Sequence, residues 1–553
     1  MNFPDYYGYG QLFAFSGIDG ENSHDEDFAG MLMLEKISIR FDAPDAVTLS
    51  LPCEIEKFDA VFSDVITGGG VKIVFYDKNT VLGFFEDEIN IFSEKNALVK
   101  SVGDARILSA DGFCYCLLTD GRRFVFCREK SEEAALTAAK GKSRADIDAV
   151  CEKRLDYYKK MPACIYQEYE KLYYKCLSIN KVNVYSPQGG IDCRSTTPDR
   201  LPHRHIWLWD SMFHAMAIAG YDTALAKDSV RAVLQCQRAD GFIPHMIKSR
   251  EDISGITQPQ VIAWAALSIY KKDGDREFLS YCADRIAAFL LWFTENRDLN
   301  KNGLFEWKTD FANTRCRCDE SGMDNSPRFD TLETLDAIDC SCFMANDCRC
   351  LSEIYSILGE SDKAEKFGRL SDETAEKVNS LLWDENAGAY TDREFSGKLT
   401  GVLTCSSFLP LFAGICDEER AGKLVSLLLD KDKFASEMPV PSIARDNELY
   451  GADMWRGCTW LNYNYFVISG LKRYGYEELA ESLVCTTLKK VNKWFELTGN
   501  IFEFYDAEDK TVPWHLNRKG PQPEVPDYRR KYHAITDYNW SASFILMLLR
   551  GDY

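Results

Sequence analysis

The stretch Glu320-Ser321-Gly322-Met323-Asp324-Asn325-Ser326-Pro327-Arg328-Phe329 sets acids, an amide and an Arg in a Gly- and Ser-turned loop. With no apolar stripe to bury, it offers little to a core and is better suited to chemistry. Trp207-Leu208-Trp209-Asp210-Ser211, Gln258-Pro259-Gln260, Trp455-Arg456-Gly457 and Phe502-Glu503-Phe504-Tyr505 repeat a mixture of aromatic plates and a few hydrogen-bonding groups. Such a mixture is the makeup of a sugar pocket.

Cleaving a glycosidic bond takes one protonated carboxyl to serve the leaving oxygen and one ionised carboxylate to activate water or attack carbon. Asp324 and Glu503 fall in loops that follow helical segments, each with aromatics nearby. Each also has a plainer reading. Asp324 could cap a local turn. Glu503 could be an exposed residue of the alternating run Ile501 to Tyr505, with Glu508 or Glu524 as the base instead. Asp210 stands at the start of an amphipathic helix, as an N-cap or as a ligand of sugar hydroxyls. Gln258 can cap or bind in the same way, and Trp455 and Trp460 are large enough to be core.

The elements that must position these residues change character along the chain. From Tyr9 to about Cys127 short strand-like runs recur, among them Met31 to Ile39, Ala46 to Leu51, Val71 to Tyr76, Ile89 to Phe92 and Phe113 to Leu118. Their spacing predicts an antiparallel β-sandwich over 1–128. A charged, Ala-rich helical linker follows over 129–162. Beyond it come about a dozen amphipathic helices, fenced by Gly220, Gly241, Gly274, Gly359 and Gly475, with long motif-bearing loops between them. Without the fixed repeat of a solenoid, paired helices with rich loops predict an (α/α)6 barrel over 163–553.

The 553 residues carry a formal charge of −21, which repels phosphate backbones and anionic membranes, so nucleic acid and membrane partners are not expected. No run reaches the roughly 18 apolar residues of a span, and the N-terminus has no leader pattern. The expectation is a cytoplasmic chain. Twenty cysteines invite a zinc reading, but the densest group, Cys316, Cys318, Cys340, Cys342, Cys348 and Cys350, repeats Cys-x-Cys and not a zinc-knuckle spacing. Buried thiols are expected, with no metal and no cofactor.

Trp207-x-Trp209-Asp210-Ser211-x-Phe213-His214, Gln258-Pro259, the Asp324 peptide, Trp455-Arg456-Gly457 and Trp540-Ser541-Ala542 together resemble glycoside hydrolase family 63. That group takes in mannosylglycerate hydrolases and, more distantly, trehalases. The likeness covers roughly residues 165 to 550, with the motifs in order. It implies an inverting, exo-acting α-glycosidase on an (α/α)6 barrel, with Asp324 as general acid and Glu503 as general base. It also implies that Asp210 and Gln258 bind the non-reducing sugar, that Trp207, Trp209, Trp455 and Trp460 wall the pocket, and that Gly322 and Arg456 belong to the binding set. Two departures, Cys458-Thr459 after Trp-Arg-Gly and Ala507 after Asp506, are expected near the leaving group and bear on substrate.

On this reading Asp324 is kept protonated by partial burial and a nearby carboxylate, while Glu503 stays ionised. The substrate is an α-linked gluco- or manno-configured di- or oligosaccharide or glycoside; oligomeric state is open. The rivals are an α-glucoside phosphorylase of similar architecture, an epimerase using His203, His205 or His214, and a non-catalytic glycan-binding protein.

Overall fold

A computed structural model of the chain describes residues 10–24, 28–33, 37–42, 46–51, 59–85, 89–93, 97–110, 112–521 and 533–553. Its N-terminal part holds two antiparallel sheets. One has five strands in the order Leu12–Phe13, Gly30–Met33, Ile37–Asp42, Ala46–Leu51, Asn90–Ser93. The other has eight, running Val99–Val102, Ala105–Ala110, Phe113–Asp120, Arg123–Glu129, Thr80–Phe84, Val71–Asp77, Val65–Gly68, Ala60–Val61. The strand expected from Met31 to Ile39 is two strands, and residues 34–36 between them lie outside the described residues.

Alternation decides which side of each strand is buried. Ile39, Phe41, Val47 and Leu49 of the smaller sheet share a core with Phe75, Tyr115 and Phe126 of the larger. Phe41 meets Phe126 at 5.3 Å between ring centroids. The opposite face of the larger sheet, with Val74, Leu82, Val125 and Cys127, joins a different cluster.

That face is covered by the segment expected to be a linker. It is two helices, Glu132–Lys142 and Ile147–Lys159, each started by a side-chain cap: Ser131 accepts from the Ala134 N–H and Asp146 from the Ala149 N–H. Tyr158 stacks on Phe62 at 3.8 Å and 5° and donates its hydroxyl to Asp64 at 2.9 Å. Arg154 donates to the Phe75 carbonyl. The segment is therefore a packed layer and not a spacer.

In the helical part, six helices touch in sequence and close on themselves: Leu208–Ile218, Ile262–Asp273, Ile338–Leu358, Leu409–Ala413, Leu461–Arg473 and Asn539–Arg550, the last against the first. Helices between them in the chain pack outside, as Thr223–Leu234, Ser361–Leu381 and Glu477–Thr498 do. Sequence pattern separates the two sets. Every residue of Leu208–Ile218 is buried, whereas Ser361–Leu381 buries only Ala364, Phe367, Ser371, Thr374 and Val378, one stripe at helical spacing. Each inner helix sends one aromatic to a common floor, where Phe466 meets Phe213, Trp264, Phe343, Phe412 and Phe544 at 4.8 to 6.4 Å.

Buried charges join the two parts. Lys181, fully buried, pairs with Asp64 at 2.5 Å and Asp19 at 3.0 Å. Asp537 takes hydrogen bonds from Lys175 at 2.7 Å and from the Leu12 N–H at 2.8 Å. Lys181 is thus neutralised by acids of the other part, and separating the two would leave these ions without partners. Among the described residues the cysteines are free thiols, and no helix is long and apolar enough to cross a membrane.

Candidate active site

The pocket opens at the end of the ring where the inner helices begin, and its volume is about 310 Å³. Trp207, Trp460 and Tyr538 are the residues from which three of those helices start, and none caps its helix with its own side chain. Helix N-termini left this way turn backbone N–H groups and the positive end of the dipole toward the pocket, a favourable setting for carboxylates. Gln258, just before Ile262–Asp273, accepts from the Trp209 N–H at 3.3 Å.

Indole rings build the walls. Trp209 lies against Gly322, whose φ is +69° and where an added Cβ would come within 2.2 Å of the indole. Glycine alone tolerates both conditions. Trp540 meets Trp209 at 5.3 Å and Trp460 at 5.5 Å, both edge-on. The indole nitrogens of Trp207 and Trp540 and Oδ1 of Asp210 are buried without a protein hydrogen bond, and all three residues line the pocket. Two donors and an acceptor are thus available to a polar group that enters.

Three carboxyls face the same space. Glu503 is tied to the segment before the last helix, its N–H bonded to the Ile535 carbonyl at 2.9 Å and its Oε2 accepting from the Ile535 N–H at 3.3 Å. Arg518 grips it through two nitrogens, Nε to Oε2 at 2.9 Å and Nη2 to Oε1 at 3.0 Å. Behind the guanidinium stands His203, with Nε2 3.3 Å from Nη2 and Nδ1 2.6 Å from Asp199.

Asp324 meets the ammonium of the residue after Arg518, Lys519, at 2.6 Å. Burial pushes the Asp324 carboxyl up, but Lys519 and, more weakly, Arg518 outweigh it and hold it below the usual carboxylate range. The expectation that Asp324 rests protonated is therefore corrected. The group that burial does push well above its ordinary value is Asp210, with the charges of Asp199, Glu503 and Asp324 adding to the effect. Asp210 is in the first turn of Leu208–Ile218 while Trp207 occupies the cap position, so the N-cap reading does not hold.

The structure brings Asp324, Glu503, Asp210, Gln258, Gly322, Trp207, Trp209 and Trp460 to one pocket. Trp455 and Arg456 do not line it. Trp455 stacks behind Trp460 at 3.9 Å and 2°, as a second layer, and Arg456 is turned to Asp330 at 2.6 Å. Cys458 and Ala507, expected near the leaving group, are buried away from the pocket. Glu508 is occupied by Arg445 and Tyr450, and Glu524 lies outside the described residues. His214 is buried beside Thr196, and burial holds its pKa down to about 3.

Sequence reasoning misses His245, Arg518, Lys519 and Tyr538, which also line the pocket. The signal for the basic pair is its place in a Gly- and Pro-ended loop shortly after the aromatic-Glu peptide. Cys316 is buried as expected but lines the pocket. Its sulfur lies with oxygens of Asp319 and Asp324 within 4.8 Å of one another, and the cation these groups face is Lys519, whose Nζ donates to the sulfur at 3.0 Å.

A ring of paired helices with an indole-walled, acid-bearing pocket at its mouth defines a glycoside hydrolase. Residues 203–541 match the family model described as the mannosylglycerate hydrolase MGH1-like glycoside hydrolase domain, and the chain belongs to that family. Mannosylglycerate hydrolase MGH1 of Selaginella moellendorffii is 25% identical over 411 residues, covering 59% of this chain and 79% of the relative. The mannosylglycerate hydrolase of Thermus thermophilus is 24% identical over 396 residues, 56% of this chain and 91% of the relative. A solved GH63 mannosylglycerate hydrolase, also from Thermus thermophilus and in complex with Tris, superposes with a TM-score of 0.55 at 22% identity, over 68% of this chain and 99% of the other. A bacterial glucoamylase complexed with acarbose reaches 0.57 at 12% identity over 98% of this chain and 85% of the other, a likeness of fold that takes in the sheets as well.

Proposed function

We propose that the chain is an inverting, exo-acting α-glycosidase that hydrolyses a small α-linked gluco- or manno-configured substrate in an (α/α)6 barrel. On this reading residues 163–553 are the barrel, 129–162 the helical layer joining it to a β-sandwich over 1–128, and the pocket is the barrel's mouth. The observation that carries it is the meeting of Asp324 and Glu503, from loops far apart in sequence, in one indole-walled pocket. At about 310 Å³ that pocket is at the small end of ligand sites, which run ~300–1,000 Å³. One sugar ring and a short leaving group fit that scale, which favours attack at a chain end.

Glu503, paired as a carboxylate with Arg518, takes a proton from the attacking water. Asp324 gives a proton to the leaving oxygen. Asp210 and Gln258 receive sugar hydroxyls, and Trp207, Trp209 and Trp460 pack on the ring. Single displacement leaves room for the water between carboxyls about 6.5–9.5 Å apart. Phosphorolysis would need cations for phosphate, and the two basic residues at the pocket are already engaged by Glu503 and Asp324.

The test is stereochemical. Proton NMR of the early reaction on an α-linked substrate, read before mutarotation, should show the released sugar first as the β-anomer. If the α-anomer forms first, the reaction is a double displacement and this assignment falls.

A further inference from the structure

Arg518 and Lys519 are neighbours in the chain, yet they hold their carboxylates differently, and the difference concerns the step at which Asp324 gains its proton. Lys519 starts from a pinned backbone. Its φ is +62°, its N–H donates to Asp453 at 2.9 Å, the Gly520 N–H donates to the same carboxylate at 3.0 Å, and its carbonyl accepts from Arg315 at 2.7 Å. From there the side chain reaches Oδ2 of Asp324 at 2.6 Å and the Cys316 sulfur at 3.0 Å. It remains 21% exposed and Asp324 17%, against 4% for Arg518 and 2% for Glu503.

A general acid must reach the leaving oxygen within about 2.6–3.2 Å, and Oδ2 already carries an ammonium at that distance. A carboxyl in contact with a cation is also in the wrong protonation state for the task. The other charged groups that bear on Asp324 do not reverse this. Arg518 adds to the cationic side, Cys316 donates toward the carboxylate, and His245, whose pKa burial holds down to about 4, brings no charge at neutral pH. The carboxyls of Asp210, Glu503 and Asp319 stand on the opposite side of the balance without displacing the contact.

We infer that Lys519 is a positioning residue that keeps Asp324 ionised in the open pocket and, still protonated itself, yields it when the leaving group enters, so that Asp324 takes up a proton from solvent only with substrate in place. The inference rests on Asp324 being the general acid. It makes the free protein and its complex differ in one measurable respect. The alkaline limb of kcat/KM reports the acid in the free protein, and that of kcat reports it in the complex. The limb of kcat/KM should therefore lie at lower pH than that of kcat.

The experiment records both profiles on the neutral α-linked disaccharide that is turned over fastest, for wild type, Lys519→Met and Lys519→Arg. In Lys519→Met the kcat/KM limb should rise by roughly 1–3 pH units, the usual effect of removing an adjacent opposite charge, and meet the kcat limb. Above the wild-type limb, relative rate should gain about tenfold for each pH unit that the limb moves. Lys519→Arg, which restores a cation, should keep the two limbs apart. On an aryl α-glycoside whose leaving group needs no proton, no variant should move its alkaline limb. Coincident limbs in wild type, or an unmoved limb in a Lys519→Met protein that melts like wild type, overturn the inference. If Lys519→Met does not fold, the wild-type and Lys519→Arg profiles still decide it. If Asp324→Asn keeps its turnover on the disaccharide, the assignment of the acid has failed instead.

Discussion

The two sides of the pocket are built to different standards of rigidity. Glu503 is sealed in, with two bonds from one guanidinium and one from a backbone N–H. Asp324 sits nearer solvent, paired with a flexible lysine. A planar fork fixes direction as well as charge, whereas an ammonium on a four-carbon stem supplies charge and can swing away. On the proposed mechanism the difference means that one carboxylate is placed for a constant task, and the other for a task that changes during the reaction.

The largest expected effects test whether both sides act at all. Glu503→Gln should lower kcat by at least ~10²-fold on every substrate, whatever its leaving group, because the attacking water loses its base. Asp324→Asn should lose ~10²-fold or more on an unactivated disaccharide and recover in part on an aryl glycoside. Initial rates on the two substrate types check this, and equal recovery in the two variants would erase the distinction between the sides.

A smaller effect probes rigidity directly. Arg518→Met strands a buried carboxylate and should cost about 3–5 kcal/mol of stability, while Lys519→Met, at a pair about a fifth exposed, should cost less, because relief of the ammonium's own burial offsets part of the lost attraction. Urea denaturation of the two variants measures the gap, and a comparable loss in both would mean that the sides are equally built in.

A more gradual effect, one that builds with pH, concerns the third carboxyl. Burial raises the folded pKa of Asp210 above its unfolded value. Its contribution to stability is therefore fully present below the unfolded pKa, about 3.9, and is lost as pH rises toward the folded one. Asp210→Asn has no proton to lose. It should match wild type near pH 4 and gain on it as pH rises, by at most about 1.4 kcal/mol per pH unit, while KM increases. Denaturation across pH checks the slope, and a flat difference would show that the Asp210 charge is compensated in the fold.

Much of this arrangement is legible in the chain. The outer helix Ser361–Leu381 announces itself by its stripe, and the turn before it by Gly359, which adopts φ +86°. The break in the expected linker is written there too, since Ser131 and Asp146 are both cap residues, but an Ala-rich, charged run reads as continuous helix when composition is weighed before caps. Trp209, Asp210, Gln258, Gly322 and Asp324 fall where motif order and loop position place them. Depth and partnership are not legible. Nothing in Trp455-x-x-x-x-Trp460 tells which indole of a stacked pair faces inward. The protonation of Asp324 is misread from sequence because its partner arrives from far along the chain: Lys519 is 203 residues beyond Cys316, the other group it touches.

The seam between the chain's two ends has a kinetic consequence. Leu12 bonds to Asp537, 525 residues away, and Thr536 donates to the Gly10 carbonyl. Next to them Ile535 holds the backbone and the carboxylate of Glu503. The proposed base is thus seated by a residue whose next two neighbours in the chain, Thr536 and Asp537, are held by contacts more than 500 residues apart. Contacts of such separation form late, after local helices have already appeared. In refolding from denaturant the far-ultraviolet helical signal should return first, with turnover lagging behind it, because the segment that holds Glu503 settles only when residues far apart in the chain have met.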